Sequence, residues 1–572
     1  MKNQELSKIF YEIAEFLELD GVSFKPYAYK KAAFSLENLK DDVFDIYRKG
    51  GNKALQDIPG VGENIANHIE EYLKTRKIKI YQEYKKRLPL KMDELTRVEG
   101  LGPRKIKVLY EKLGIKTLKD LEKATKNHKI SPLFGFGKKT EKNILQGIEF
   151  QKRNKGRILL GEILPIAEKV LEKLKTLKEV DKISLAGSLR RRRETIGDVD
   201  ILVVSKKPEK VMNYFTSLDI VEKVLATGKT KTSIYTKNGF DIDLRVVPEK
   251  SYGSALQYFT GSKDHNIATR KIAVSKGLKL SEYGVFKGSK QIAGKTEEDV
   301  YKAIGLSYIE PEIRENEGEI EAGLNKKLPR VIELKDIKGD LHCHSTASDG
   351  QDSIEKMIEG ARELGYEYIG ISEHTGSLVI AGGLNGDRLL KQNEEIKALN
   401  LKYKKNNFRI LHGCEVNIMA DGSLDIKDEV LEKLDYVIAS IHSSMKMPKS
   451  EMTKRLIKAM KNSNVDIIGH LTTRLIGRRD EIDFDFDKIL EVAKETGTIL
   501  EINSTPQRLD LNSINIRRAK EVGIKMIINT DAHQKEQLSQ IKYGVFQARR
   551  GWAEKKDVIN TNSVGDLLKN LK

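Results

Sequence analysis

The sequence predicts a multidomain chain: an all-α N-terminal region of helix-hairpin-helix type, a central α/β domain, and a C-terminal α/β domain of (β/α)-barrel type. Three observations carry this prediction. An apolar-x-Gly-apolar-Gly turn recurs three times between Ile58 and Gly137, each time ahead of a helical stretch. Short β-branched strands alternate with helices from about residue 150, and one carries two aspartates two positions apart. After residue 336, strand after strand ends in His, Glu or Asp, as in a barrel with its functional groups at the C-terminal rim.

A length of 572 residues corresponds to about four domains, enough for several separate cores. Lys+Arg number 102 against 84 Asp+Glu, a formal charge of +18, and that sign expects a polyanionic partner. No apolar run approaches the roughly 20 residues of a bilayer span, and Met1-Lys2-Asn3-Gln4-Glu5 opens no signal peptide. No membrane partner and a cytoplasmic location are therefore expected. Two cysteines, Cys343 and Cys414, argue against a disulfide framework and fit a reducing compartment.

Residues 1 to about 85 read as helices, with Ile9, Phe10, Ile13, Phe16 and Leu17 at helical spacing. Ile58-Pro59-Gly60-Val61-Gly62 leads into a helix near Glu63, and the pattern returns as Val98-Glu99-Gly100-Leu101-Gly102 and Leu133-Phe134-Gly135-Phe136-Gly137. Glycines let such a hairpin approach a phosphate, and the amides of the next helix start point at it. One copy is commonly mere helix packing. Three copies with basic followers (Arg104, Lys105, Lys107; Lys138, Lys139) favour sequence-independent binding of the DNA backbone.

The stretch from Leu185 to Val204 begins Leu185-Ala186-Gly187-Ser188, runs through Arg190-Arg191-Arg192-Arg193, and enters an apolar strand as Gly197-Asp198-Val199-Asp200. Residues two apart on a strand share a face, so Asp198 and Asp200 can converge on one pair of hard cations. Phe240 to Val247 reads as a neighbouring strand and offers a third carboxylate, Asp243. That is what two-metal phosphoryl transfer requires. Gly187 and Ser188 let the backbone close on nucleotide phosphates, and an arginine of the run offsets their charge. Singly, an Asp-x-Asp is more often a solvated strand edge and four arginines an exposed loop; together they form a nucleotidyltransferase constellation.

On these residues the chain resembles the family X DNA polymerases, the DNA polymerase beta family. The resemblance implies a palm over 151–250, preceded by a lyase-like domain over 1–85 and fingers over 86–150, and followed by a thumb over 251–315. It makes Asp198, Asp200 and Asp243 ligands of Mg²⁺ or Mn²⁺, with Asp243 accepting the primer proton. Gly187, Ser188, Arg191 and Gly197 become nucleotide contacts. In Tyr258-Phe259-Thr260-Gly261-Ser262-Lys263-Asp264-His265-Asn266 the resemblance sets Tyr258, Phe259 and Gly261 against the nucleotide, Asn266 at the base edge, and the later Arg270 on the template strand. Without the family, Tyr258 and Phe259 read as core. Lys25-Pro26-Tyr27-Ala28-Tyr29-Lys30-Lys31-Ala32 resembles the lyase segment, in which Lys25 and Lys31 grip a 5′-phosphate. His68 stands where lyase members carry a Schiff-base lysine, and an imidazole forms no imine, so phosphate binding is expected without the lyase step.

Residues 316–335, rich in Glu and Gly, read as a linker, and 336–572 as a second catalytic unit. His342 and His344 lie two apart on one strand, with Asp349 in the loop that follows. Strands then end at His374, Glu415, His442, His470 and Asp531-Ala532-His533. Six of the ten histidines fall in this pattern, which leaves solvated or core histidines a poor explanation. Mixed imidazole and carboxylate ligation suits Mn²⁺, Zn²⁺ or Fe²⁺ better than Mg²⁺. The segment resembles the polymerase and histidinol phosphatase (PHP) domain, a distorted TIM-like barrel, and the resemblance makes His342, His344, Asp349, His374, Glu415, His442, His470, Asp531 and His533 ligands of two or three ions. Glu373 stands where that family has aspartate, and Leu471 where it has proline. Cys343 and Cys414 read as core.

Together the resemblances imply a monomeric DNA-templated polymerase that takes gapped or primer-template DNA and deoxynucleoside triphosphates. It would fill short gaps in base excision repair, with a PHP 3′-5′ exonuclease and an AP-endonuclease activity. The alternatives are an untemplated nucleotidyltransferase joined to a small-molecule phosphoesterase, and a DNA-binding scaffold with silent sites. Intact ligand sets count against the scaffold, and the hairpins with Asn266 and Arg270 count against the untemplated enzyme.

Overall fold

The helical spacing at the N-terminus produces a helix whose apolar face is sealed: Leu6, Phe10, Ile13 and Phe16 are fully buried on α1 (Lys2–Leu19). The computed structural model describes residues 2–572 apart from 23, 40–41, 97, 99–100, 154–155, 377, 379–380 and 405–406. Two compact units result, 1–155 with 477–480, and 156–476 with 481–572.

In the first unit, α2 (Lys25–Asn38), α3 (Glu63–Thr75), α4 (Pro103–Leu113) and α5 (Gly137–Arg153) carry the hairpins. Gly62 and Gly102 are the N-caps of α3 and α4, with extended backbone at ψ 174 and 168. The third hairpin differs: Gly137 is itself the first residue of its helix, at φ +59. Gly100 of the second hairpin lies outside the described residues. Gly60 sits at φ +78, and a Cβ there would fall 2.6 Å from the Lys31 side chain, so only glycine lets α2 pack on the first hairpin. One hydrophobic core runs from Leu6 to Ile148, so the segments expected as two domains share their interior.

The second unit begins with a five-stranded sheet: β1 (Lys182–Leu185), β2 (Asp198–Val204), β3 (Val221–Thr227), β4 (Lys231–Thr236) and β5 (Asp241–Val247), in the order β1-β2-β5-β4-β3. β2 and β5 are parallel and in register, pairing Asp198 with Asp241 and Asp200 with Asp243. Helices α6 (Tyr252–Thr260) and α7 (Lys263–Ser275) follow.

The segment expected as a linker is packed. Glu319 is fully buried with Oε1 2.7 Å from His265 Nδ1, and Ile332 belongs to the core of the next layer. Composition misleads there because Glu319 meets a buried imidazole and the backbone amides of Asn316 and Glu317 instead of water.

Seven parallel strands then run in sequence order: β6 (Gly339–Asp340), β7 (Tyr368–His374), β8 (Arg409–Asn417), β9 (Tyr436–Ser440), β10 (Ile467–Ile468), β11 (Ile499–Asn503) and β12 (Met526–Asn529). A parallel bridge between Cys343 and Ala532 brings the last strand back to the first, nearly closing a TIM-like barrel. Cys343 and Cys414 are free and buried in its core. The expected separate cores are partly fused: Leu509 and Tyr543 of the barrel lie in the core of the five-stranded sheet, and Trp552 in that of the thumb segment. No described helix is long and apolar enough to cross a membrane.

Candidate functional site

At the five-stranded sheet, alternation along β2 and β5 places Asp198, Asp200 and Asp243 on one face. Burial first, then Asp198 and Asp243, push the Asp200 carboxyl up to about 6. Asp243 is held by Lys231 Nζ at 2.5 Å and accepts from Ser233 Oγ at 2.5 Å, so an ammonium offsets the charge of that carboxylate. The three palm carboxylates are not among the described sets whose donor atoms gather within 4.8 Å. Gly187, at φ +64, is needed for a reason the sequence did not show: a Cβ there would fall 2.5 Å from Asp200 Oδ2. It opens a one-turn helix, Gly187–Arg190, where a bare turn was expected. Ser188 is half-buried beside it.

Several expected nucleotide contacts are engaged within the protein. Arg191 donates from Nε to Glu315 Oε1 at 3.0 Å and from Nη1 to Thr260 O at 2.6 Å. Asn266 is buried, donates to Tyr258 O at 2.7 Å and Gly261 O at 3.2 Å, and accepts from Gln257. In this state both residues brace the turn between α6 and α7. Tyr258 and Phe259 are half-buried and edge-to-face at 5.3 Å, and the Arg245 guanidinium lies 4.7 Å from the Phe259 ring centre. Gly197 has room for a side chain, its nearest neighbour being Arg157 at 3.6 Å. Arg270 donates to Asn266 O at 3.1 Å. In the other unit, Lys25 is exposed at the start of α2, and His68 Nδ1 lies 2.9 Å from the hydroxyl of Tyr29.

The barrel site gathers all nine expected residues. Glu415 lies at its centre. Oε1 is 3.4 Å from His342 Nε2, 3.2 Å from His442 Nε2 and 3.0 Å from His470 Nε2; Oε2 is 2.7 Å from His374 Nδ1 and 3.7 Å from His344 Nε2. Asp531 Oδ1 is 3.3 Å from His344 Nε2, and Asp349 lies 3.3 Å from His533 Nε2 and 3.6 Å from His374 Nε2. Burial acts to raise Glu415, but His442, His374 and His342 outweigh it and hold the carboxyl well below its usual range. Burial, with His374 and His533, drives His344 down to about 3, so its imidazole is neutral and its lone pair free to ligate. Asp531 takes left-handed backbone at φ 57, strain of the kind that collects at functional centres.

These atoms fit metal ions and not one another. Glu415 Oε2, His374 Nδ1, His342 Nε2 and both ring nitrogens of His344 are buried without a hydrogen bond among the described residues, although His374 Nδ1 and Glu415 Oε2 are only 2.7 Å apart. Donor atoms that converge out of hydrogen-bond alignment are aimed at a common centre. Three overlapping donor sets meet: His344, Asp349, His374 and His533; His342, His344 and Glu415; His374, Glu415 and His442. The barrel is thus a divalent-metal site.

The residues that orient the ligands were not anticipated. Glu501 Oε1 sits 2.6 Å from His342 Nδ1 and Asn417 Oδ1 2.6 Å from His442 Nδ1, which turns both Nε2 atoms to the centre. Ile-Leu-Glu-Ile-Asn at 499–503 repeats the strand-end pattern and could have revealed Glu501. Glu373 accepts from Ser345 N at 3.1 Å and Ser348 Oγ at 2.5 Å, bracing the loop between His344 and Asp349.

Sequence models of known families match five stretches: a helix-hairpin-helix domain at 1–78, a SAM-like helix-hairpin-helix tandem at 92–149, DNA polymerase beta palm at 157–250, DNA polymerase beta thumb at 255–315, and a PHP domain at 340–505. The DNA polymerase/3′-5′ exonuclease PolX of Bacillus subtilis (strain 168) is 39% identical over 572 residues, covering 99% of both chains. The chain belongs to the family X DNA polymerases with a PHP domain. Part of the chain is also similar to shorter proteins that carry another name. A "Probable phosphatase" of Thermoanaerobacter sp. (strain X514) is 32% identical over 246 residues, 41% of this chain and 94% of the relative. Another, of Caldanaerobacter subterraneus subsp. tengcongensis, is 34% identical over 207 residues, 34% of this chain and 75% of the relative.

Proposed function

We propose that this family X polymerase fills short gaps in duplex DNA during base excision repair, adding deoxynucleotides opposite a template at the palm and trimming 3′ ends and incising abasic sites at the barrel. Polymerase and 3′-5′ exonuclease chemistry are those of the whole-length relative. The observation that carries the reading is the pairing, in one compact unit, of the Asp198, Asp200 and Asp243 face with the nine-residue barrel site.

At the palm, Asp198, Asp200 and Asp243 would hold Mg²⁺ or Mn²⁺. Asp243 takes the proton of the primer 3′-hydroxyl as O3′ bonds to the α-phosphorus and pyrophosphate departs. Ser188 and Arg191 meet the triphosphate, which requires Arg191 to exchange Glu315 or Thr260 for phosphate oxygens. Gly197, Tyr258, Phe259, Gly261 and Asn266 border the sugar and base, Arg270 meets the template, and the hairpin glycines with Lys25 and Lys31 address DNA phosphates. In the barrel, the nine ligands would hold two or three ions of Mn²⁺, Zn²⁺ or Fe²⁺, which supply Lewis acidity and offset charge on the scissile phosphate. Hydrolysis joins a water oxygen to phosphorus, breaks the P–O3′ bond, and leaves one water proton on O3′ and the other on the released phosphate or in solvent. A cytoplasmic monomer is part of the reading.

Primer extension on gapped DNA with each nucleotide supplied singly tests templating; addition that ignores the template overturns it. The matches of part of the chain to proteins named phosphatases favour a second reading for the barrel site, a small-molecule phosphoesterase. Turnover of phosphomonoesters with 3′-labelled DNA left intact, in Mn²⁺ and in Mg²⁺, would establish it.

A further inference from the structure

Six of the seven barrel strands lead into the metal site. The segment from β6 carries His342, His344 and Asp349; β7 ends at His374, β8 carries Glu415, and the segments after β9, β10 and β12 carry His442, His470, and Asp531 with His533. β11 alone contributes no ligand. Its own Glu501 and Asn503 stand behind the ligands, Glu501 Oε1 at 2.6 Å from His342 Nδ1 and Asn503 Nδ2 donating to Asp531 Oδ2 at 3.3 Å. The rim turn that follows presents an arginine, Arg508.

That turn is fixed on every side. Thr505 N donates to Asn503 Oδ1 at 3.0 Å and Thr505 Oγ1 to Thr530 O at 3.1 Å, while Arg508 N and Leu509 N both donate to Thr505 O. Arg474 Nε donates to Arg508 O at 2.8 Å. Pro506 fills the space above Gly161 of the palm, where a Cβ would fall 2.3 Å from it, and Leu509 is buried in the palm core. The Arg508 backbone is therefore not free to swing away.

Its side chain has no such partner. Nη1 is buried and makes no hydrogen bond among the described residues, although an enclosed guanidinium nitrogen normally finds an acceptor. The turn that carries it lies against the metal site: Asn503 Nδ2 at its start donates to Asp531 Oδ2, and Thr505 Oγ1 to the carbonyl of Thr530, the residue before Asp531. A fixed, always-charged group with an unmet donor beside a phosphodiester-cleaving metal centre has the chemistry of a phosphate clamp.

We propose that Arg508 is the phosphate-binding residue of the barrel site, donating to a non-bridging oxygen of the scissile phosphodiester and afterwards to the released 5′-phosphate. The proposal rests on the phosphodiesterase reading of the barrel. Loss of one such donor costs about 10²–10³-fold in turnover at comparable sites.

The test uses the full-length, metal-loaded protein with Arg508→Ala and Arg508→Lys, with melting temperature and bound metal determined for each. Arg508→Ala should lose at least about 10²-fold in 3′-5′ exonuclease rate, bind deoxythymidine monophosphate about tenfold more weakly by calorimetry, and keep its metal content and polymerase activity on gapped DNA. Millimolar guanidinium chloride should restore part of the lost rate to Arg508→Ala and none to the parent; a merely structural residue is not rescued by a free guanidinium ion. Arg508→Lys should fall between the two. Monophosphate binding within twofold of the parent, or a loss of rate that follows loss of metal, would overturn the proposal. A parent protein that binds the monophosphate through Arg508 but cuts no DNA would leave the clamp standing and overturn the exonuclease reading.

Discussion

Arg474 Nη2 donates to Glu194 Oε1 at 2.6 Å, and this pair ties the segment after His470 of the barrel site to the loop that leads into Asp198 and Asp200. Both side chains are largely buried, and Gln547 also donates to Glu194. The sheet and the barrel thus share an ion pair as well as a core.

Glu194→Ala should destabilise the protein by about 1–3 kcal/mol, because Arg474 would stay buried with its carboxylate partner gone. Denaturant unfolding of the parent should show palm and barrel lost in one transition, and the variant should shift that midpoint. A barrel that melts separately, with an unchanged midpoint, would show that the pair couples nothing.

The two chemistries should nevertheless separate by mutation. Asp243→Ala should abolish nucleotide addition and leave 3′ trimming within a few-fold of the parent; His342→Ala should do the reverse and lower barrel metal content. A melting curve for each distinguishes lost chemistry from lost fold. One folded variant lacking both activities would contradict two independent sites.

Metal removal should expose a cost at Asp200. Its folded pKa of about 6 exceeds the ordinary 3.8, so the folded state holds the proton more tightly. The stabilisation is complete below pH 3.8, falls as pH rises through about 6, and is absent above it. In EDTA at pH 8, Asp200→Asn should therefore be more stable than the parent by about 2–3 kcal/mol, an advantage that vanishes below pH 4. Saturating Mg²⁺ should cancel it, because the cation neutralises the parent carboxylate. Urea melts across this range, with and without Mg²⁺, provide the check.

The groups that show up in sequence are those whose spacing obeys a local period. Asp198 and Asp200 share a face because strands repeat every two residues, and the barrel ligands mark strand ends. What depends on distant pairing was hidden. Glu315 meets Arg191, Arg193 and Arg550 on a single carboxylate oxygen, and no local pattern foretells that meeting. Glu319 looked like linker composition because its partner His265 lies in another element. Arg508 escaped notice because its distinguishing feature is an absent hydrogen bond.

DNA binding should weaken steeply with salt and show little sequence preference, since hairpin amides and lysines address phosphates. Gly60→Ala should weaken it further, because a Cβ at φ +78 is strained and meets Lys31 at 2.6 Å. The change should be largest for gaps bearing a 5′-phosphate. Equal affinity for gaps with and without that phosphate would remove Lys25 and Lys31 from the role given to them.

The 5′-sugar-phosphate step should be missing. An imine needs a neutral primary amine, and His68 on α3 offers an imidazole instead, 2.9 Å from the Tyr29 hydroxyl, with burial holding its pKa below the ordinary value. The nearby lysines are differently occupied: Lys74 pairs with Glu70 at 2.5 Å, and Lys31 lies against Gly60. Lys25 is exposed on the first turn of α2. Borohydride should accordingly trap little or no covalent adduct with 5′-deoxyribose-phosphate DNA. His68→Lys should create one, because it places an amine beside Tyr29 in the half-buried position that lowers a lysine pKa. Efficient trapping by the parent that survives His342→Ala and disappears on changing a single lysine of residues 1–85 would refute this and identify the nucleophile.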